Sequence, residues 1–201
     1  MSDHIALRPM SGADLDFADS LRNTAGWNQT LQDWRRLLAY QSDGCFVAEL
    51  DGTPAGTAST SCYGTDLAWI GMVLVAPEFR RRGLGRALLM HCLDFLSRKA
   101  IRCVKLDATP LGKTLYDQLG FRDEWALTRW EANPLALPAL DIPTSAQSPT
   151  PIPRSAIRAF QTSDADALGG SDAPVFGAAR PEMLNALARD SSSVLVFESP
   201  D

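Results

Sequence analysis

Ala68-Trp69-Ile70-Gly71-Met72-Val73-Leu74-Val75 runs apolar without a break, ends at Pro77, and gives way to Arg80-Arg81-Arg82-Gly83-Leu84-Gly85-Arg86. An apolar run of this length closed by proline predicts a central strand buried on both faces. From Leu84 to Leu96 the apolar residues fall at Leu84, Ala87, Leu88, Leu89, Cys92, Leu93, Phe95 and Leu96. That arc predicts a helix laid on a sheet, with Arg86, Asp94 and Arg98 on the wet side. Strand, glycine-rich turn and helix therefore follow one another directly. A helix start carries N–H groups without intrahelical acceptors and a partial positive charge, so it attracts phosphate oxygens. Gly83 and Gly85 let an anion approach the backbone, and the arginines match the charge of a pyrophosphate. The turn lacks both the third glycine of the dinucleotide fingerprint and the Lys-Ser/Thr of a nucleoside-triphosphate loop.

Val75-Ala76-Pro77, Arg80-x-x-Gly83-x-Gly85 and Leu115-Tyr116-x-x-x-Gly120-Phe121 stand in an order and spacing that resembles the acetyl-CoA-binding core of the GNAT N-acetyltransferase superfamily. The resemblance is strongest over residues 68–121. It implies an α/β (α+β) domain with the GNAT acyl-CoA N-acyltransferase fold, a central mixed, mostly antiparallel sheet flanked by helices. It also implies transfer of an acetyl group from acetyl-CoA to a primary amine, by direct attack in a ternary complex without a metal. On that footing the backbone of Met72, Val73 and Val75 would bond the pantetheine arm, with an N–H near Val73 meeting the acetyl oxygen. Arg80, Arg81, Arg82, Gly83, Leu84, Gly85 and Arg86 would hold the pyrophosphate. Tyr116 would give a proton to the departing thiolate. Many relatives carry an asparagine seven residues before this tyrosine. Here Thr109 stands there, and its hydroxyl supplies only part of an amide's hydrogen bonding.

Read from the helix alone, Tyr116 has two roles open to it. Leu111, Leu115 and Leu119 recur at helical spacing and predict the core face, with Tyr116 rotated about 100° from Leu115. Its hydroxyl is then free to face a cofactor, or the ring is an amphipathic tyrosine at the core edge. A phenol with a reference pKa near 10 is protonated at neutral pH and can donate to sulfur. The general base stays open among Glu49, Asp66, Asp107 and a water chain. The loop around Asn23 to Asn28, with Trp27, is where acceptor choice is expected to lie.

The rest of the composition narrows the class. A hydrophobic share of 45% supports a globular core. A net charge of -5 argues against nucleic-acid binding, and no apolar stretch reaches membrane-spanning length. The opening Met1-Ser2-Asp3-His4 has no secretory pattern, so a cytoplasmic location is expected. Cys45, Cys92, Cys62 and Cys103 read as buried free thiols without a basic partner in sequence reach, which leaves no nucleophile for a ping-pong route. His4 and His91 are the two histidines, too few for a histidine metal site, and His91 reads as a partly buried packing or surface residue.

Along the chain the expected order is β-α-α-β-β-β-α-β-α-β. Strands are predicted at Ile5–Arg8, Cys45–Leu50, Pro54–Ser61, 68–75, Ile101–Leu106 and Phe121–Trp130. Helices are predicted from Ser11 to about Leu21, over Thr30–Tyr40, from Leu84, and over Gly112–Leu119. The resemblance implies a GNAT domain over residues 1–132. Six of the 13 prolines lie between 133 and 155, at 134, 138, 143, 149, 151 and 153, and predict an extended linker. In the tail Arg158, Asp164 and Asp166 follow Arg8, Asp14 and Asp16 by 150 positions. Leu187-Ala188, Ser191, Val196 and Glu198 follow Leu38-Ala39, Ser42, Val47 and Glu49 by 149. Residues 156–201 therefore read as the strand-helix-helix-strand opening of a second GNAT-like module. Such a half-fold is expected to be a truncated piece of a tandem protein or to dock on another subunit, homo-oligomerisation included. The alternative to an acetyltransferase acting on a small-molecule or peptide amine is a non-catalytic acyl-CoA-binding sensor or assembly module.

Overall fold

The computed structural model describes residues 3–128 and 157–198. The chain divides into two compact units, 1–109 with 161–192, and 110–160 with 193–201. The expected linker over 133–155 lies outside the described residues.

The larger unit starts with β1 (Ile5–Pro9). Ser11 and Asp14 form a reciprocal capping box around a short 3-10 turn, and α1 (Leu15–Thr24) follows. A second box starts α2 (Leu31–Tyr40), where the Thr30 N–H donates to Asp33 Oδ2 at 2.6 Å. β2 (Cys45–Leu50) and β3 (Thr53–Tyr63) meet at Asp51 and Gly52, whose φ values of 50° and 81° make the primed turn that suits strand twist. β4 (Leu67–Val75), α3 (Leu84–Arg98) and β5 (Cys103–Leu106) complete the sheet. The order is β1-β2-β3-β4-β5, antiparallel except for the β4–β5 pair that α3 connects.

Neighbouring residues of β2 point to opposite faces. Val47 packs with Ala18 of α1 and Trp34 of α2, whereas Phe46 stands edge-on to His91 and Phe95 of α3 at centroid distances of 4.5 and 5.5 Å. So α1 and α2 cover one face and α3 the other, and β4 buries residues in both directions as its unbroken apolar run requires. Gly56 lets α3 sit close, since a Cβ there would lie 2.8 Å from Leu74 O and 3.1 Å from Leu88 Cδ1. Sequence reading starts the fifth strand at Ile101, but Ala100 turns with φ 55° and the strand begins at Cys103. Cys103, expected to be buried, is exposed because β5 is an edge strand.

α5 (Ala165–Phe176) and α6 (Pro181–Asp190) belong to this same unit. Phe176 meets Tyr63 edge-on at 4.9 Å and stacks on Trp69 at 6.1 Å. Ala178 and Met183 share a buried cluster with Tyr63 and Leu67. Arg36 ties α2 to α6, with Nη1 on Asp33 Oδ1 at 2.7 Å and Nε on Asp190 Oδ2 at 2.8 Å.

In the smaller unit, α4 (Pro110–Gln118) closes on Gly120 at φ 90°, with the Phe121 N–H donating to Tyr116 O at 3.1 Å. That bond across a left-handed glycine is a Schellman ending. Leu111, expected on the core face, is 81% exposed. Residues 121–128 form no strand, because no described strand pairs with them, and 129–130 lie outside the described residues. β6 (Ile157–Ala159) and β7 (Leu195–Phe197) make an antiparallel pair.

Contacts as well as letters recur in the tail. Arg158 Nε meets Glu198 Oε1 at 2.6 Å, as Arg8 Nε meets Glu49 Oε1 at 2.6 Å. The Gln161 N–H donates to Asp164 Oδ2 at 2.8 Å, as the Ser11 N–H does to Asp14 Oδ2 at 2.8 Å. Among the described residues no helix is long and apolar enough to cross a membrane.

Candidate active site

β4 carries a break in its ladder. Thr57 faces Leu74, but the next pair is Ser59 with Gly71, so Ala58 alone stands against Met72 and Val73. This is a β-bulge, and Met72 within it has φ 53°, a left-handed value that costs a non-glycine residue about 1–3 kcal/mol. The bulge also resets the in–out alternation. Leu67 lies in a cluster that Tyr40 of α2 joins, yet Met72 and Leu74 also reach the clusters of α1 and α2, an odd number of residues further on.

The displaced carbonyl of Met72 accepts a hydrogen bond from Thr57 Oγ1 at 3.0 Å, fully buried. A trans peptide points its C=O and the following N–H in opposite directions. With Met72 O held toward Thr57 on β3, the Val73 N–H is aimed away from β3. β5 pairs with β4 only from Leu67 to Ile70. β5 ends at Leu106 opposite Ile70, and beyond Ile70 no described strand pairs with that side of β4, so the Val73 N–H faces an unpaired strand edge.

The phosphate turn follows at once. The Ala76 N–H closes the ladder on Ala55 O at 2.9 Å, and Pro77–Phe79 form a 3-10 turn. Arg80 Nε donates back to Val75 O at 3.1 Å. Arg81 and Gly83 take φ values of 63° and 88°, which bend the chain into α3. Gly83 is the N-cap and no side chain caps the helix; the Ala87 N–H, donating to Gly83 O at 3.0 Å, makes its first turn. The N–H groups of Leu84, Gly85 and Arg86 are thus left without intrahelical acceptors, at the positive end of a 15-residue helix. Sequence reading puts Arg80, Arg81, Arg82 and Arg86 around one anion. Arg82 instead clasps Asp3, with Nε on Oδ2 at 2.6 Å, which holds the Asp3 carboxyl below its usual range. Among the described residues neither Arg81 nor Arg86 forms an ion pair.

The remaining candidates lie on several elements. Tyr116, in the smaller unit, is half-buried, with its ring over Gly112 and 6.2 Å from the Phe121 ring. Burial pushes its phenol above the ordinary tyrosine value. Thr109 is exposed just before Pro110. Glu49 is paired with Arg8, Asp66 is paired with Arg102, and Asp107 is exposed. Trp27 packs partly buried against the clusters of α1 and α2. Burial pushes the Cys45 and Cys92 thiols up to about 12, so both stay protonated. His91 packs on Phe46, and burial lowers its pKa. A cleft of about 870 Å³, lined by Arg35, Tyr40, Cys62, Glu182 and Arg189 among others, shares no residue with the phosphate turn.

Two partners of these residues escape sequence reading, Thr57 against Met72 O and Asp3 against Arg82. The available signal for Thr57 is the run Thr57-Ala58-Ser59-Thr60-Ser61, in which small hydroxylated residues occupy a central strand. All four hydroxyl-bearing residues are buried.

Residues 15–121 match the family model for the acetyltransferase (GNAT) family. An uncharacterized N-acetyltransferase of Methanocaldococcus jannaschii, MJ1207, is 28% identical over 113 residues, which is 52% of this chain and 49% of that protein. A crystal structure of a candidate acetyltransferase from Pyrococcus horikoshii is similar with a TM-score of 0.73 and 21% identity, over 96% of this chain and 65% of that one. The aminoglycoside N-acetyltransferase AAC(6')-Iy, solved with the bisubstrate analogue CoA-S-monomethyl-acetylneamine, gives a TM-score of 0.52 at 23% identity, over 65% of this chain and 99% of that one. The chain thus spans about half the length of the curated relative and under two thirds of the Pyrococcus protein. With the family model covering more than half of its residues, and the bulged strand, open edge and uncapped helix in place, this chain belongs to the acetyltransferase (GNAT) family.

Proposed function

We propose that the chain transfers an acetyl group from acetyl-CoA to a primary amine, small-molecule or peptide, by direct attack in a ternary complex. The observation that carries this reading is the Val73 N–H turned to the unpaired edge of β4, on the strand that leads into the uncapped start of α3. Amides of Leu84, Gly85 and Arg86 bind the pyrophosphate, and Arg81 and Arg86 add charge. The open edge of β4 at Met72, Val73 and Val75 bonds the pantetheine arm. The Val73 N–H stabilises the negative charge that develops on the acetyl oxygen.

The neutral amine attacks the carbonyl carbon, a C–N bond forms and the C–S bond breaks. The amine's proton leaves to a carboxylate or through water, and the Tyr116 phenol protonates the departing sulfur. The products are the amide and free CoA. Tyr116 takes this role from the Leu115-Tyr116-x-x-x-Gly120-Phe121 match, and its raised pKa keeps the proton available. The protonated state of Cys45 and Cys92 speaks against an acyl-enzyme on either. A CoA-based bisubstrate analogue on AAC(6')-Iy supports the choice of carrier. Residues 156–201 belong to the same proposal as the opening of a second module, supported by the repeated Arg–Glu and capping contacts. Thiol release from acetyl-CoA across a panel of primary amines tests the reading, with calorimetric CoA binding alongside. Amine-dependent release is expected. Binding without release on any amine would favour the sensor reading.

A further inference from the structure

We infer that Thr57 is the positioning residue of the acetyl site, holding the β4 bulge so that the Val73 amide points at the thioester carbonyl. This rests on the acetyltransferase reading and extends it to a residue on β3, beside the strand and turn proposed to bind the carrier. The bulge forces Met72 into a left-handed backbone that methionine does not favour, and it persists only because both ends of the residue are fixed. The side chain is fixed by burial, at 6% exposure among Met10, Ala18, Trp34, Cys45 and Val47. The carbonyl is fixed by the Thr57 hydroxyl at 3.0 Å, and Thr57 itself is completely buried.

Without that hydroxyl, Met72 O becomes a buried acceptor with its side-chain donor gone, and the peptide plane gains freedom to rotate toward another donor. Rotation carries the Val73 N–H with it, because the two groups share one rigid plane. The phosphate end, at the start of α3, does not depend on that plane. Thr57 therefore acts chiefly on turnover through Val73, with a smaller effect on carrier binding through the pantetheine bonds at Met72 and Val73.

Three variants of the full chain test this. Thr57→Val keeps the shape and removes the hydroxyl, Thr57→Ser keeps the hydroxyl and removes the methyl, and Thr57→Cys keeps the size with a weak donor. The expected result is a kcat lower by about tenfold or more in Thr57→Val, with the Kd for CoA changed by a clearly smaller factor than kcat. Thr57→Ser should retain most of kcat, with Thr57→Cys between the two. If Thr57→Val does not fold, the ordering of the other two decides, with a high kcat in Thr57→Ser and a low one in Thr57→Cys again expected. Equal kcat in all folded variants, or a Thr57→Ser as impaired as Thr57→Val, would overturn the assignment. An unsubstituted chain that releases no thiol on any amine counts against the acetyltransferase reading itself. An active chain indifferent to position 57 counts against this inference alone.

Discussion

Arg8 reaches two carboxylates at once, with Nη2 on Asp14 Oδ1 at 2.7 Å and Nε on Glu49 Oε1 at 2.6 Å. Asp14 is 8% exposed, and the bond from Arg8, helped by Ser11, holds its carboxyl well below the usual carboxylate range. A folded pKa below the unfolded one stabilises the native state above the unfolded value, near 3.9, and that stability is lost as pH falls toward the folded value. Asp14→Asn should therefore lower Tm at neutral pH and flatten the loss of stability below about pH 4. An unchanged acid slope, followed by thermal unfolding at several pH values, would contradict the role given to Arg8. Tyr116 supplies a second prediction at this scale. Tyr116→Phe should lower kcat on the order of a hundredfold, with CoA affinity by calorimetry nearly constant. Equal turnover under chemistry-limited conditions would remove the phenol from the mechanism.

β4 and α3 act as a pair, and Gly56 sets their spacing. Gly56→Ala would drive a Cβ against the Leu74 carbonyl, a backbone atom unable to swing away, and against Leu88 of α3. The expected cost is about 1–3 kcal/mol of stability, read as a lower Tm, together with weaker CoA binding as the start of α3 shifts. A neutral outcome in both measurements would mean that the helix is not held at that distance. The run from Ala68 to Val75, the glycine turn, the helix after it and the Asp51-Gly52 hairpin were all legible in sequence, since each is a local pattern. The bulge was not, because methionine carries no preference for a left-handed backbone and only the partner strand reveals the skipped register. Asp3 was equally invisible, standing 79 positions from Arg82. Residues 121–128 failed as a strand for the related reason that strand formation needs a partner, which hydrophobicity alone does not supply.

At the scale of the whole molecule, residues 161–192 close over the face that Tyr40, Tyr63 and Trp69 leave beside α2, within the larger compact unit. Arg180 lies 3.7 Å over the Phe176 ring and is paired with Asp172 at 2.7 Å, which stiffens the α5–α6 corner. Phe176→Ala should cost about 1–3 kcal/mol, less than a fully buried phenylalanine, and should open 161–192 to limited proteolysis. Equal cleavage rates with and without the substitution would show that this packing does not hold the segment. The tail repeat was legible as spaced letters, but its packing was not, because Phe176 and Met183 meet residues more than a hundred positions away. The most direct test of the account as a whole is amide hydrogen exchange with and without acetyl-CoA. Slower exchange at Leu84, Gly85, Arg86 and Val73 is the predicted result, whereas protection confined to other segments, or none at all, would contradict it.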